Sequence, residues 1–277
     1  MALAPTLVAH GAHIPAIGYG TSGLGQVLAE HVAAALKAGY RHVDTARKYG
    51  TERTVGEGMR ASGVPRQDIF LCTKVSHENL HAADFARSVE ESLAALGVDY
   101  VDLLLVHWPE KNTPPAETMG ALAKAKRQGL TRHIGVANFN IAMLDEAIRL
   151  CPEPLVTLQA ECHPYLDQTK VIAACRERGL VLTAYCPLAR GRLQGDAVLA
   201  EIARRTGKTF AQVALRWLVQ HGMIAPIPRS SNAQRIAQNI DVFDFELSED
   251  DMRRIAALAR RDGRIADPAG RAPVWDV

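Results

Sequence analysis

The chain has 277 residues, of which 48% are apolar and 22% are charged, and its 32 basic and 30 acidic side chains leave a net charge of +2. These fractions are typical of a folded globular protein and exclude a mainly disordered chain. The small net charge argues against a dedicated nucleic-acid-binding protein. The length is compatible with two domains of about 150 residues or with one of about 250.

The five cysteines are odd in number and include no Cys-x-x-Cys pair, which predicts neither a disulfide framework nor a zinc ribbon. We therefore expect free thiols and a reducing compartment. The first eleven residues lack the basic start of a signal peptide. The best apolar run, Tyr100–Trp108, is broken by Asp102. These features predict a cytoplasmic protein without a membrane partner.

Short apolar or β-branched runs alternate with longer amphipathic segments along the chain. The first predicted element is a β-hairpin over Leu7–Ile14, with Gly11 at its turn. The predicted strands that follow are Ala16–Tyr19, Arg41–Asp44, Ile69–Lys74, Val101–His107, His133–Ala137, Val156–Gln159, Val181–Tyr185 and Ile224–Ile227. The predicted helices are Val27–Ala38, Thr54–Ala61, Asp84–Leu96, Ala116–Arg127, Ala142–Leu150, Gln168–Arg178 and Asp196–Arg205. Several strands are continuously apolar, as parallel strands buried on both faces are.

Eight such βα units predict an α/β fold, a single (β/α)8 TIM barrel that occupies the whole chain, 1–277, as one domain. The N-terminal hairpin is expected to close the bottom of the barrel. Phe210–His221 is predicted as an extra helix before the eighth strand. The tail from Arg260 is rich in proline and glycine and is predicted as an extended arm, with Trp275 as its large anchor.

Polar residues collect where the predicted strands end, which in this architecture is where catalytic groups lie. Asp44, Lys74 and His107 end the second, third and fourth barrel strands, and Tyr49 follows Asp44 in the next loop. Because an unpaired charge at the end of a buried strand is costly, Asp44 and Lys74 are expected to pair. Further along the chain, the strand ends carry Asn138, Gln159, Tyr185 and Arg229.

These residue types suit the reduction of a carbonyl group. A tyrosine has a pKa of about 10, and a neighbouring cation lowers that pKa by favouring the phenolate. Lys74, held by Asp44, is expected to act on Tyr49 in this way and make it a proton donor. His107 is expected to orient the carbonyl oxygen. The hydride must come from a cofactor, since no side chain carries one.

Four motifs make the sequence resemble the aldo-keto reductase family over Leu7–Trp275. They are Gly39–Ala46 with Tyr49, Gly50, Glu52 and Gly56; Leu71–Lys74; Val106–Pro109; and Ile227–Ser230 with Arg235, Gln238 and Asn239. The resemblance implies a catalytic tetrad of Asp44, Tyr49, Lys74 and His107, with Tyr49 as the acid. We also expect a monomer and no metal.

The resemblance further implies NADPH/NADP+ as the cofactor. Two amides, Asn138 and Gln159, would hold the nicotinamide carboxamide, and Tyr185 would stack on the ring. The remaining implied contacts are Arg229, Ser230 and Arg235 at the adenosine 2′-phosphate and Gln238 and Asn239 near the adenine. Two guanidinium groups and a hydroxyl suit a phosphate dianion, which favours NADPH over NADH.

Within the family, the tail and compact loops are most similar to prokaryotic 2,5-diketo-gluconate reductases, which also reduce methylglyoxal. This similarity implies small polar carbonyls as substrates. Ser22 and Ser76 replace aromatic residues that line the substrate pocket in relatives, with Trp108 as a further wall residue, so a wider and more polar pocket is expected. Ala137 replaces a serine that is common before Asn138.

Three other interpretations were open. A non-catalytic barrel that binds NADPH for regulation would share the fold. Gly18-x-Gly20-x-x-Gly23 matches a dinucleotide-binding fingerprint, but Pro15 lies where its central strand should begin. The string His77–His81 reads His-Glu-x-x-His, as in zinc hydrolases, but it falls in a predicted loop and lacks a third ligand.

Overall fold

A computed structural model describes residues 4–22 and 27–276. The strands are β1 (Thr6–Ala9), β2 (Ala12–Pro15), β3 (Gly18–Gly20), β4 (His42–Asp44), β5 (Phe70–Val75), β6 (Val101–Val106), β7 (Thr131–Ala137), β8 (Leu155–Glu161), β9 (Val181–Tyr185) and β10 (Ile224–Pro226). The α-helices are α1 (Ala29–Lys37), α2 (Glu52–Ser62), α3 (Ala82–Leu96), α4 (Pro115–Arg127), α5 (Ile141–Leu150), α6 (Thr169–Glu177), α7 (Ala197–Thr206), α8 (Phe210–Val219), α9 (Ala233–Ile240) and α10 (Glu249–Ala256).

Strands β3 to β10 form one parallel sheet in chain order. The sheet curls until its two edges meet, where the Gly20 N–H donates to the Pro228 carbonyl at 3.0 Å. A Cβ on Gly20 would lie 2.7 Å from the Ile227 carbonyl oxygen, so only glycine permits this approach. The predicted (β/α)8 barrel is confirmed.

Side chains on the barrel strands alternate between the barrel interior and the surrounding helices, as the two-residue period of a strand requires. On β6, Leu104 and Val106 belong to the large core between strands and helices. Leu103 and Leu105 belong to a second, smaller cluster inside the barrel. Burial on both faces explains why these strands read as continuous apolar runs.

The N-terminal hairpin fills one end of the barrel interior. Its strands pair antiparallel with Leu7 opposite Ile14, and Gly11 takes a positive φ of 85° at the turn. Ala9, Ala12 and Ile14 are buried in the same cluster as the inward-facing residues of the barrel strands. The expectation that the hairpin closes the barrel bottom is confirmed.

Two helices lie between β9 and β10, as predicted. Helix α8 packs against β10 and α9, whereas α7 packs on α8 and α10. The additional helix outside the ring is therefore α7, and the prediction that Phe210–His221 is the extra one was wrong. Helices α9 and α10 after the last strand were not predicted. Their capping residues were visible in the sequence: the side chain of Asn232 accepts from the Arg235 N–H, and Ser248 forms a capping box with Asp251.

Candidate active site

A buried ion pair joins the ends of β4 and β5. The Lys74 Nζ donates to Asp44 Oδ1 at 2.6 Å and to the Thr45 carbonyl at 2.7 Å. The Gln159 Nε2 donates to the other oxygen of Asp44 at 2.8 Å. Lys74 is 0% exposed and Asp44 is 2% exposed, so the predicted pairing is present and both charges are fully enclosed.

Tyr49 lies beside this pair. It ends a 3-10 helix, Arg47–Tyr49, which follows β4 and is terminated by Gly50 at a φ of 68°. The Lys74 Nζ is 5.2 Å from the centroid of the Tyr49 ring, and the ring of His107 meets it edge-on at 5.5 Å. The four residues of the predicted tetrad therefore lie together at one rim of the barrel.

The electrostatics of Tyr49 differ from the expectation. Burial raises the pKa of Tyr49 above its usual value, and the positive charge of Lys74 lowers it by a smaller amount. The lysine acts in the predicted direction, but loss of hydration outweighs it. Tyr49 is therefore held in its protonated form at neutral pH.

Burial and the nearby Lys74 charge lower the pKa of His107 to about 3, so its imidazole is neutral at pH 7. Burial alone would lower the pKa of Lys74, but the Asp44 carboxylate raises it and the net shift is upward. The site therefore contains a permanent ammonium and a neutral imidazole, each beside the neutral phenol of Tyr49.

Three ion pairs brace the turn that carries Tyr49. Arg47 contacts Glu52 at 3.7 Å and Glu91 at 2.5 Å. Lys48 donates to both oxygens of Glu78, at 2.7 and 2.9 Å. The Lys48–Glu78 pair ties the loop after β4 to the loop after β5.

Amide side chains continue the rim beyond the tetrad. The Asn138 Nδ2 donates to the His107 carbonyl at 2.8 Å, and Asn138 Oδ1 accepts from the Tyr185 hydroxyl at 2.7 Å. Asn138 has a φ of 64°, in the left-handed region that asparagine tolerates better than most residues. Asn138, Gln159 and Tyr185 thus lie on three neighbouring strand ends.

The other predicted cofactor residues form a separate group on the segment after β10. The Ser230 carbonyl accepts from the Tyr19 hydroxyl at 2.7 Å, and the Arg229 charge acts on the same tyrosine. Arg235 is exposed in the first turn of α9, Gln238 is half-buried and Asn239 is buried. This group contains two guanidinium groups and a hydroxyl near one helix N-terminus.

The three predicted pocket residues differ in their surroundings. Ser22 is exposed, and Trp108 packs edge-on against Trp275 with ring centroids 6.2 Å apart. Ser76 is 4% exposed, and its hydroxyl donates to Glu78 at 2.9 Å. The hydroxyl of Ser76 is therefore directed to a protein carboxylate.

The zinc-like string forms no metal site. Glu78 is paired with Lys48, and His81 contacts Glu117 at 3.4 Å. Within residues 4–22 and 27–276, no group of three histidine, cysteine or acidic side chains could hold a metal ion. Gly18 and Gly20 of the other string lie on a barrel strand, and Gly23 lies outside the described residues.

Two further findings concern the remaining sequence predictions. All five cysteines are free thiols. In the described part of the chain, no helix is both long and apolar enough to cross a membrane.

Sequence reasoning missed a buried carboxylate at the same rim. Glu161 ends β8, is 0% exposed and accepts from His163 Nε2 at 2.9 Å. Glu161 could have been predicted from the sequence. It follows Gln159 by two residues, so the two side chains lie on the same face of the strand. Its partners, Ile265 and Ala266, come from the C-terminal tail.

Comparison with known proteins identifies the chain as an oxidoreductase. The model of the Aldo/keto reductase family matches residues 16–260, and the chain belongs to this family. It is 41% identical over 267 residues to methylglyoxal reductase DkgB of Escherichia coli O157:H7, which covers 95% of this chain and 99% of that protein. It is 40% identical over 258 residues to glyoxal reductase of Bacillus subtilis, covering 92% of each.

Solved structures agree with this assignment. A crystal structure assigned as a 2,5-diketo-D-gluconic acid reductase B superposes with a TM-score of 0.96 at 46% identity and covers 99% of this chain and 98% of its own. An aldo-keto reductase of Bombyx mori in complex with NADP superposes with a TM-score of 0.87 at 33% identity, covering 94% of each chain.

Proposed function

We propose that the protein reduces aldehydes and ketones, small polar carbonyls such as diketo-gluconate or methylglyoxal, to alcohols with NADPH, and that Tyr49 is the general acid. The observation that carries the proposal is the meeting of Tyr49, His107 and the Lys74–Asp44 pair at one rim. The names of the relatives support the substrate class. We further propose a cytoplasmic monomer in which residues 1–277 form one domain.

The residues present fit NADPH. Asn138 and Gln159 offer amide donors and acceptors for the nicotinamide carboxamide, and Tyr185 offers an aromatic face. Arg229, Ser230 and Arg235 would hold the 2′-phosphate, because guanidinium forks match phosphate oxygens, with Gln238 and Asn239 near the adenine. When bound, NADPH supplies the hydride that the reduction requires.

The protein's own residues handle the proton. The Tyr49 hydroxyl donates its proton to the carbonyl oxygen, and the adjacent Lys74 ammonium stabilises the phenolate that this leaves. Asp44 and the Thr45 carbonyl fix the position of that ammonium. His107, being neutral, donates one ring N–H to the same oxygen and orients it.

The variant Tyr49→Phe tests this assignment, because it removes only the hydroxyl. We expect kcat to fall by about 10²–10⁴-fold, the usual contribution of a general acid, while NADPH binding followed by protein fluorescence stays near the wild-type value. Tyr100→Phe is the matched control, since Tyr100 packs between Arg66 and Arg132 away from the rim.

Two results would contradict the proposal. Retention of most of the activity by Tyr49→Phe would remove Tyr49 from the mechanism. A wild-type protein that binds NADPH but reduces no carbonyl compound would indicate the non-catalytic, NADPH-binding regulatory barrel instead.

A further inference from the structure

The C-terminal tail is fixed to the barrel rim at Glu161, the last residue of β8. One oxygen of this carboxylate accepts from the Ile265 N–H and the other from the Ala266 N–H, both at 2.7 Å. The first oxygen also accepts from His163 Nε2 at 2.9 Å, and both of these side chains are 0% exposed. Because a buried carboxylate without such partners would be costly, the backbone of the tail completes this site.

The chain approaches Glu161 through a second tight contact, at Tyr165. The Arg260 N–H donates to the Tyr165 carbonyl at 3.1 Å, and the Arg260 guanidinium lies 3.5 Å from the centroid of the Tyr165 ring. A Cβ on Gly263 would lie 1.8 Å from the same carbonyl oxygen, so only glycine permits this approach. Residues 260–266 therefore follow one defined path onto the rim.

Beyond this contact, the tail carries Trp275 to the side of the rim where His107 lies. The Trp275 ring packs edge-on against Trp108, with centroids 6.2 Å apart, and Trp108 directly follows His107 in sequence. The Trp275 Nε1 donates to Asp267 Oδ1 at 2.9 Å, which ties the tryptophan back to the start of the tail. The position of Trp275 therefore depends on where this part of the tail is held.

Arg264 links Trp275 to Glu161 by a second route. Its guanidinium lies 3.8 Å from the centroid of the Trp275 ring. Its Nη1 is buried and, within residues 4–22 and 27–276, has no hydrogen-bond partner. Burial lowers the pKa of Arg264, and the Glu161 carboxylate acts in the opposite direction. The negative charge of Glu161 thus offsets part of the cost of burying the cation that supports Trp275.

His107 itself is held without the tail. Its N–H donates to the Val75 carbonyl at 3.0 Å, and its carbonyl accepts from Asn138 Nδ2 at 2.8 Å. The Lys74–Asp44 pair likewise joins two barrel strands. If the tail lost its fixed position, the aromatic wall beside His107 would move, but the groups that handle the proton would stay in place.

We infer that Glu161 is a positioning residue for the proposed reduction, because it fixes the tail so that Trp275 holds the Trp108 ring beside the bound carbonyl compound. Glu161 acts through the two tryptophans and takes no part in hydride or proton transfer. Its signature is a higher KM for the carbonyl compound with kcat nearly unchanged, since His107 keeps its place. The inference rests on the proposed function, because it concerns substrate binding in that same site.

Two variants release the contact from opposite sides. Glu161→Gln keeps the shape of the side chain but turns an amide NH2 group toward one of the two tail N–H groups. Gly263→Ala leaves Glu161 intact and blocks the approach of the tail at Tyr165. With methylglyoxal and NADPH, each variant should raise KM by about 10-fold, the equivalent of one weakened charge-assisted hydrogen bond. Each should leave kcat near the wild-type value.

A double-variant cycle tests the route through the tryptophans. Trp275→Ala should also raise KM, and adding Glu161→Gln to it should raise KM little further, because both remove the same support of Trp108. Fluorescence gives a readout that needs no turnover. Acrylamide should quench Glu161→Gln and Gly263→Ala more than wild type, since the paired tryptophans become more accessible. Trp217, the third tryptophan of the chain, is 5% exposed beside α10 and stays shielded.

The matched controls change the same chemical groups away from the tail. Glu57→Gln removes a carboxylate from an exposed position on α2. Gly120→Ala adds a Cβ on α4 that meets no atom within 4 Å. Neither control should change KM or quenching. If Glu161→Gln does not fold, Gly263→Ala decides the question by the same measurements.

The outcomes separate the two proposals. If the tail variants leave KM and quenching unchanged, the positioning role of Glu161 is overturned while the reductase function stands. The same conclusion follows if the effects of Glu161→Gln and Trp275→Ala on KM simply multiply, since Glu161 would then not act through Trp275. If wild type reduces neither methylglyoxal nor any other carbonyl compound, the proposed function is overturned, and the inference with it.

Discussion

The two ends of the barrel interior are built from the same strands but with opposite chemistry. On β5, the inward-facing Cys72 belongs to the apolar cluster that the hairpin closes, and Lys74, two residues later on the same face, is charged. At the hairpin end, Ala9, Ala12 and Ile14 are buried and belong to that apolar cluster. The enclosed Lys74–Asp44 pair thus lies at the end of the barrel interior where the substrate is proposed to bind.

Because of this difference, the two ends of the barrel interior contribute differently to stability and to activity. Apolar packing stabilises the fold in proportion to the area that it removes from water. A buried ion pair contributes little net stability, because desolvation offsets the attraction, but removing one partner is strongly destabilising. We therefore expect changes at the hairpin end to alter stability alone, and changes at the rim to alter stability and activity together.

Lys74→Met gives the largest expected effect. It leaves the Asp44 carboxylate buried without its cation, which should lower the free energy of unfolding by about 3–5 kcal/mol. It also removes the charge that stabilises the Tyr49 phenolate, so activity should be lost. Urea denaturation and NADPH-dependent turnover measure the two effects.

The double variant Lys74→Met with Asp44→Asn is the control for the first effect. Because it removes both charges, it should unfold at a higher urea concentration than Lys74→Met alone. If wild type and Lys74→Met had the same urea midpoint of unfolding, the Lys74–Asp44 pair would not be enclosed as the structure indicates.

Ile14→Ala tests the opposite end. Ile14 is 0% exposed at the hairpin end of the barrel, so the cavity should destabilise the protein by about 2–5 kcal/mol. Turnover at temperatures well below the unfolding transition should be unchanged. Val8→Ala on the same hairpin is the control, since Val8 is 65% exposed and the substitution should change stability by less than about 0.5 kcal/mol.

A fall in kcat for Ile14→Ala that matches its loss of stability would break the division between the two ends. It would mean that packing at the hairpin is transmitted to Lys74 through the strands that they share.

The sequence was sufficient to predict the barrel because its signals are local and repeated. Several of the eight strands are apolar runs, and each of the seven predicted helices ends within one residue of the helix end in the structure. Helices α9 and α10 escaped prediction because each has only eight residues and few buried positions, such as Ile236 and Ile255. Their apolar stripes are too short to give a clear period.

Those site residues that lie at the end of a barrel strand could be predicted from the sequence. Asp44, Lys74 and His107 follow from that rule alone. The tail contacts were not predictable, because Glu161 and Ile265 are far apart in sequence and only the folded chain brings them together. The direction of the net shift in the pKa of Tyr49 could not be predicted from the sequence either, because it depends on how completely folding removes the ring from water.

His42 offers a smaller and more specific test of the same comparison. It precedes Asp44 by two residues on the same face of β4, and its ring packs edge-on against Phe70 at 5.2 Å. Burial lowers the pKa of His42 to about 4, with Asp44 and Lys74 acting in opposite directions. The histidine therefore lies between the two ends and is kept neutral by its surroundings.

The sign of the pH dependence follows from linkage. An unfolded histidine has a pKa of about 6.5, so between pH 6.5 and 4 the unfolded chain binds a proton that the folded chain does not. Stability from this group is therefore complete above pH 6.5 and is lost as the pH falls, by about 1.4 kcal/mol at pH 5.5. His42→Gln removes this loss because glutamine does not titrate.

The measurement is the free energy of unfolding in urea at pH 7.5 and at pH 5.5 for wild type and His42→Gln. Other groups, including His107, titrate in both proteins, so only the difference between their pH dependences reports on His42. A smaller fall for the variant would show that the barrel interior below the Lys74–Asp44 pair excludes charge. If the free energy of unfolding fell equally in both proteins, His42 would be in contact with water. The boundary between the polar and the apolar end of the barrel interior would then lie closer to the hairpin than Asp44.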